Sequence, residues 1–120
     1  MLNSHILIVD DDPDQLNILT LYLKKQNFNV LSAENGPKGI QIFKENIETI
    51  GLVITDLHME DMSGEVFIDE IYKINQNIPI LVLTGDPMAI SKENVKIKDI
   101  IKKPINFFSF KKTVAEYFKE

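Results

Sequence analysis

Several short apolar runs in this sequence end in residues that could perform phosphoryl chemistry. Such residues follow four of five runs: Asp10, Asp11 and Asp12 after the first, Asp56 after the third, Thr84 at the end of the fourth and Lys103 after the fifth. A carboxylate is a competent nucleophile toward phosphorus. Phosphoryl transfer otherwise needs positioning and charge neutralisation, which a hydroxyl and an ammonium group can supply. The residue types therefore permit an aspartyl phosphate at Asp56, with Lys103 and Thr84 contacting the phosphoryl oxygens.

The aspartates also predict a cation site. Two carboxylates about 4 Å apart repel each other by roughly 4 kcal/mol at an effective dielectric constant of about 20. If Asp10, Asp11 and Asp56 meet at one edge of a sheet, they need a cation to remain ionised together. Oxygen ligands alone suit a hard ion, and Mg²⁺ keeps coordination positions free for phosphate oxygens. We therefore expect Mg²⁺ as the cofactor, and Gly85 leaves room for the backbone to approach the phosphoryl group.

The elements that position these residues alternate between strands and helices. Strand-like runs cover residues 5–9, 29–33, 52–55, 80–84 and 99–102, and the first, third and fourth are almost continuously apolar. Helix starts are predicted where a capping residue or proline precedes an amphipathic stretch: at Pro13 after Asp12, near Pro37, at Ser63 and Gly64, at Pro87 after Asp86, and at Asn106. The second helix should carry Ile40, Phe43 and Ile47 on one face, and the fourth looks short. This alternation predicts five strands and five helices.

The fold class that follows is α/β, a doubly wound five-stranded parallel sheet. Strands covered on both faces read as continuous apolar runs, as here. The sequence does not determine the strand order, but the flavodoxin-like order 2-1-3-4-5 is the common solution at this size. In such sheets ligands bind beyond the carboxyl ends of the strands, where the strand order reverses. That edge is where the candidate residues lie.

Length and composition narrow the function classes. The 120 residues fit one domain, 1–120, and we expect no second domain in this chain, which is either a single-domain protein or a piece of a longer one. The absence of cysteine excludes thiol catalysis and disulfides. A net charge of -5 argues against direct nucleic-acid binding, and no apolar stretch is long enough to span a membrane. We expect a cytoplasmic protein.

These residues resemble the receiver domains of bacterial two-component response regulators. The motifs that carry the resemblance are Ile-Leu-Ile-Val-Asp-Asp-Asp-Pro at 6–13, Asp-Leu-His-Met at 56–59, Met-Ser-Gly at 62–64, Leu-Thr-Gly at 83–85 and Lys-Lys-Pro at 102–104. They follow the order of the family and cover the whole chain. The resemblance implies a signalling switch that accepts a phosphoryl group from a histidine kinase or phosphotransfer protein, assists that transfer itself, and then contacts a downstream protein.

The resemblance assigns a role to each site residue: phosphoacceptor to Asp56, direct metal ligand to Asp11, water-mediated metal ligand to Asp10, main-chain carbonyl ligand to His58, switch hydroxyl to Thr84 and phosphoryl-binding lysine to Lys103. It also implies a cis peptide bond before Pro104. Receivers of this kind often dimerise through the face of the fourth and fifth helices, which makes a homodimer a further expectation.

Three positions depart from the pattern of the family. Glu60 stands where a proline is usual, and should alter the loop after the third strand. Ile100 replaces the usual aromatic residue, which puts the threonine–aromatic coupling in doubt. The segment between Thr84 and Asp99 is a few residues short, so the fourth helix should be truncated or irregular.

Two other functions compete with the switch. A haloacid-dehalogenase-like phosphohydrolase also forms an aspartyl phosphate, but Pro13 and Asp14 interrupt its motif and Asp56 would have no purpose. The alternative is a degenerate receiver that binds proteins independently of phosphorylation. Two further features have more than one interpretation. The His58 side chain is either an exposed loop residue or a group that influences hydrolysis of the acyl phosphate. The basic group is either a solvated face or a docking site for an acidic partner, and it consists of Lys92, Lys96, Lys98 and Lys102.

Overall fold

The five apolar runs form one sheet, and the helices cover both of its faces. A computed structural model describes residues 4–90 and 94–118. The elements are β1 (His5–Val9), α1 (Pro13–Lys25), β2 (Val30–Ala33), α2 (Gly36–Glu45), β3 (Ile50–Asp56), α3 (Gly64–Ile74), β4 (Ile80–Thr84), a 3₁₀ turn (Pro87–Ala89), β5 (Asp99–Lys102) and α4 (Phe107–Tyr117). None of the described helices is long and apolar enough to cross a bilayer.

All neighbouring strands are parallel, in the order β2-β1-β3-β4-β5. The predicted fold class and strand order are therefore confirmed. In the register of the central pair, Val9 lies opposite Thr55, so that Asp10 and Asp56 emerge side by side. The order reverses between β1 and β3, and the carboxyl ends of these two strands form the crevice in which such sheets bind ligands.

The sheet separates two apolar cores. One contains Phe43 of α2 and Phe67 of α3, both fully buried. The other contains Leu19 of α1 and Phe110 of α4. Burying one such side chain contributes about 1.5–3 kcal/mol. All seven residues of β3 are buried, so Asp56 ends a strand that is enclosed along its whole length.

Side-chain caps begin the helices where the sequence predicts. Asp12 accepts hydrogen bonds from the main-chain N–H groups of Asp14 and Gln15. Ser63 caps α3 and Asn106 caps α4 in the same manner. Each cap satisfies a main-chain donor that the first turn of a helix leaves free, which is worth about 1 kcal/mol.

Two predictions about the helices are wrong in part. Helix α2 ends at Glu45, so Ile47 lies beyond it, 41% exposed, and is not part of its buried stripe. The fifth predicted helix forms as α4. Among the described residues between β4 and β5 there is one 3₁₀ turn, Pro87–Ala89, in place of a fourth α-helix, and the expected truncation of that helix is confirmed. The 3₁₀ geometry suits a short connector, and its apolar residues are too few to bury a helical face.

The segment that leads into β5 is anchored to the sheet and to α3. Ile90 and Ile97 are buried in the core on the α2–α3 side. The Lys96 ammonium group donates to Asp69 at 2.7 Å and lies 5.6 Å from the centre of the Tyr72 ring. Lys96 is therefore paired, while Lys92 of the basic group lies outside the described residues.

Candidate functional site

Four strands deliver polar side chains to one end of the sheet. Asp10, Asp56 and Thr84 are buried there, although each is polar. Asp11 is half-buried beside them, and Lys103 follows β5. Burying polar groups is unfavourable unless they are hydrogen-bonded or paired with opposite charge. The partners of each group therefore indicate what the site can do.

Three carboxylates form the centre of the site. Asp10, Asp11 and Asp56 each place an oxygen so that the three atoms lie within 4.8 Å of one another. Asp10 accepts a hydrogen bond at Oδ1 from the Asp12 N–H, 2.9 Å away, but its buried Oδ2 has no partner among the described residues. Burial raises the pKa of Asp10 from 3.8 to about 6, and the negative charge of Asp56 adds to the shift.

This cluster fits a hard cation. Its ligand atoms are carboxylate oxygens, and one buried oxygen, Asp10 Oδ2, has no hydrogen-bond partner among the described residues. A bound Mg²⁺ would compensate for that missing partner and for the negative charge of the cluster. The predicted metal-ligand residues are thus brought together, with the main chain of His58 next to Asp56. The side chain of His58 is exposed.

Both oxygens of the Asp56 carboxylate are held. Lys103 Nζ donates to Oδ2 at 2.7 Å, and the His58 N–H donates to Oδ1 at 3.2 Å. The Lys103 main chain is fixed as well, because its N–H donates to the Thr84 carbonyl at 2.8 Å. The Lys103–Pro104 peptide bond is cis, as the resemblance implied. Asp56 is therefore oriented, and its charge is balanced by one ammonium group.

The Thr84 hydroxyl is engaged by the turn that follows it. It donates to the Asp86 carbonyl at 3.2 Å and accepts from the Asp86 N–H at 3.0 Å. The hydroxyl lies at the expected edge of the sheet but is bonded to the backbone there. A Cβ atom on Gly85 would meet nothing within 4 Å. The protein itself therefore does not require glycine at this position, and a side chain there would be excluded only by a bound group such as a phosphoryl group.

Two features of the loop between β3 and α3 escape sequence reasoning. The Glu60 N–H donates to Asp11 Oδ2 at 3.0 Å, across a sequence separation of 49 residues. Gly64 packs so closely beneath Asp56 that an added Cβ would lie 2.6 Å from Leu57 Cα. Glu60 was noted as a departure, but its N–H contact depends on the loop conformation. Ser63 and Gly64 predict a helix start and belong to the Met-Ser-Gly motif at 62–64, but neither signal predicts this close packing.

The chain belongs to the response regulator receiver domain family. The sequence pattern of that family, described as the response regulator receiver domain, matches residues 6–115. The fold, the carboxylate cluster and the cis bond after Lys103 agree with this membership.

Similar proteins include larger regulators. The transcriptional regulatory protein GlrR of Escherichia coli K12 is 34% identical over 106 residues, which is 86% of this chain and 23% of the relative. A cyclic di-GMP phosphodiesterase of Thermotoga maritima is 35% identical over 104 residues, covering 84% of this chain and 27% of the relative. The chain thus spans about a quarter of the length of these two relatives.

Solved structures of receivers superimpose closely. A response regulator receiver domain protein from Clostridium thermocellum has a TM-score of 0.88 at 25% identity, with 96% of this chain and 94% of that chain covered. The response regulator TrrA of Thermotoga maritima, solved in complex with Mg²⁺ and BeF, has a TM-score of 0.85 at 28% identity, with 95% and 98% covered.

Proposed function

We propose that this domain accepts a phosphoryl group on Asp56 from a phosphohistidine donor, a histidine kinase or a phosphotransfer protein. The observation that carries the proposal is the Asp56 carboxylate itself. It is buried at the end of β3, lies beside two further carboxylates, and is oriented by an ammonium group 2.7 Å away. Such a carboxylate is a nucleophile whose approach to phosphorus is restricted to one direction.

The cofactor of this reaction is Mg²⁺, held by the carboxylates of Asp10, Asp11 and Asp56 and by the main-chain carbonyl of His58. When bound, it supplies positive charge beside the phosphoryl oxygens and neutralises the repulsion among the three aspartates. In this arrangement Asp11 and Asp56 would be the direct ligands, and Asp10 would act through a water molecule. The orphaned Asp10 Oδ2 supports this assignment.

The transfer forms one bond and breaks one. An Asp56 oxygen attacks phosphorus, the P–N bond of the phosphohistidine breaks, and the imidazole nitrogen leaves with the electron pair and takes up a proton. Lys103 moves from Asp56 Oδ2 to a phosphoryl oxygen and so keeps a negative partner throughout. The protein assists its own modification by holding these charges in place and is not an enzyme acting on a separate substrate.

Thr84 converts the modification into a conformational signal. In the unmodified domain its hydroxyl donates to the Asp86 carbonyl. A phosphoryl oxygen on Asp56 is a stronger, charged acceptor. Transfer of the hydroxyl to that oxygen releases the backbone at Asp86 and therefore the 3₁₀ turn Pro87–Ala89 that follows it. A downstream protein, or a second copy of the domain, reads the changed surface.

The donor docks on an apolar groove beside the site. Ile18 and Leu21 of α1 and Phe107 of α4 line this surface, and Ile18 and Leu21 are 54% and 50% exposed. A neighbouring part of the groove, about 430 Å³, extends to Lys103. Exposed apolar surface next to a reactive group is typical of a partner site. Ile18→Asp should slow transfer from a phosphorylated histidine protein at least tenfold and leave transfer from acetyl phosphate unchanged.

The direct test is intact-mass analysis after incubation with acetyl phosphate, with Mg²⁺ or with EDTA. The unmodified chain should gain one phosphoryl group only in the presence of Mg²⁺, and Asp56→Asn should gain none. Circular dichroism verifies that the variant is folded. A folded chain that binds Mg²⁺ but gains no mass would refute the proposal and leave a protein-binding module with a receiver fold.

A further inference from the structure

Each carboxylate of the cluster has one oxygen fixed by a main-chain N–H group. Asp10 Oδ1 accepts from Asp12, and Asp56 Oδ1 accepts from His58, in each case two residues further along the chain. Asp11 Oδ2 differs, because its donor is the N–H of Glu60 in the loop between β3 and α3. Among the described residues, this N–H is the one hydrogen-bond donor to the Asp11 carboxylate.

The geometry of this contact leaves Asp11 with one oxygen held and one free. The held oxygen, Oδ2, lies 3.0 Å from the Glu60 nitrogen. The carboxylate is only half-buried, so packing alone does not restrict its rotation as it does for the buried Asp10. A rotating carboxylate loses conformational freedom when it binds an ion, whereas one that is already oriented loses less.

We propose that the main-chain N–H of Glu60 is a positioning group for the cation site: it orients the Asp11 carboxylate toward Asp10 and Asp56 from across the crevice. The inference rests on the proposed Mg²⁺ site and adds a second residue of the loop between β3 and α3 to it. The hydrogen bond also joins the loop after β1, which carries Asp11, to the loop after β3, which carries Glu60. A change in the orientation of Asp11 would therefore be transmitted to the loop after β3.

The role belongs to the backbone and not to the side chain of Glu60. That side chain is exposed and has no described hydrogen bond or ion pair. It lies with Asp11, Glu34 and Asp61 around a polar pocket of about 380 Å³. Because the Glu60 side chain is exposed, solvent and salt screen its charge, which should contribute little to cation binding. A substitution that retains the N–H should consequently be tolerated.

A matched pair of variants separates the two contributions. Glu60→Ala and Glu60→Pro both remove the carboxylate, but proline also removes the N–H. In isothermal titration with MgCl₂, the Mg²⁺ affinity of Glu60→Ala should be within about threefold of that of the unmodified domain. The affinity of Glu60→Pro should be about tenfold weaker than that of Glu60→Ala, which is the lower end of the range for groups that hydrogen-bond to metal ligands. Equal or tighter Mg²⁺ binding by the proline variant would overturn the inference.

A second measurement does not depend on the folding of the proline variant. Amide hydrogen exchange followed by NMR should show the Glu60 N–H protected in the unmodified domain without metal, and at least about tenfold faster exchange in Asp11→Ala. Unchanged exchange would mean that the hydrogen bond is not formed in solution, and would also overturn the inference. Phosphorylation by acetyl phosphate separates a failure of this inference from a failure of the proposed function. If both tests fail but the unmodified chain is phosphorylated, Glu60 has no positioning role and the proposed function still stands.

Discussion

Replacing Asp10 with asparagine should stabilise the folded domain in the absence of Mg²⁺, by an amount that grows with pH. Asp10 is fully buried and its Oδ2 has no hydrogen-bond partner among the described residues. Asparagine keeps the shape and an oxygen that can accept from the Asp12 N–H. Its amide group carries no charge, so the repulsion from Asp56 disappears.

The magnitude follows from the raised pKa. The pKa of Asp10 is about 6 in the folded domain against an ordinary value of 3.8. Between these pH values the folded domain retains a proton that the unfolded chain has lost, so the free energy of unfolding falls as pH rises and levels off above the folded pKa. Since one pKa unit corresponds to about 1.4 kcal/mol, Asp10→Asn should gain about 1–2 kcal/mol near pH 5 and about 3 kcal/mol near pH 8.

The assay is urea unfolding followed by circular dichroism, in EDTA, at both pH values. Asp61→Asn is a suitable control because Asp61 is exposed and has no described hydrogen bond, so the same change of charge should shift stability by less than about 0.5 kcal/mol. Saturating Mg²⁺ should abolish the advantage of Asp10→Asn. A variant that is less stable than the unmodified domain, or equally stabilised at both pH values, would refute the argument from burial and charge.

Three further predictions concern the packing of the domain and the charge pairing of its site. Gly64→Ala should cost about 2–3 kcal/mol in urea unfolding because its Cβ would enter the backbone below Asp56, whereas Gly85→Ala, where a Cβ meets nothing, should cost less than about 1 kcal/mol. Lys103→Met should destabilise the metal-free domain by about 2 kcal/mol because it leaves the mostly buried Asp56 carboxylate without its ion-pair partner. The same substitution should cost much less in the Asp56→Asn background, where that carboxylate is absent. Phe43→Ala should cost about 3–5 kcal/mol by leaving a cavity, measured as a lower urea midpoint.

The sequence predicted those parts of the fold that depend on local pattern. The bounds of β1, β4 and β5 agree with the expected runs, and the caps at Asp12, Ser63 and Asn106 begin helices as expected. Apolar periodicity and capping chemistry are properties of neighbouring residues, so they can be read along the chain.

Parts of the site that depend on loop conformation could not be predicted. The contact from Glu60 to Asp11 joins residues far apart in sequence, and the backbone conformation that directs the N–H has no side-chain signature. The end of α2 at Glu45 was missed because Ile47 continued the apolar spacing. Asn46 ends that helix instead, with its side-chain amide donating to the Ile42 carbonyl at 2.9 Å. Local side-chain bonds of this kind compete with helical periodicity.

The hydrogen bonds of the Thr84 hydroxyl in the unphosphorylated domain bear on the output of the proposed switch in the absence of a signal. Its two hydrogen bonds to the Asp86 backbone are each worth about 1 kcal/mol in net terms. A bias of about 2 kcal/mol leaves only a few per cent of molecules with the hydroxyl displaced before any signal arrives. In the proposed switch, the two hydrogen bonds of this turn would therefore set the output in the unphosphorylated state, and substitutions in the turn alone would change that output without changing the proposed chemistry at Asp56.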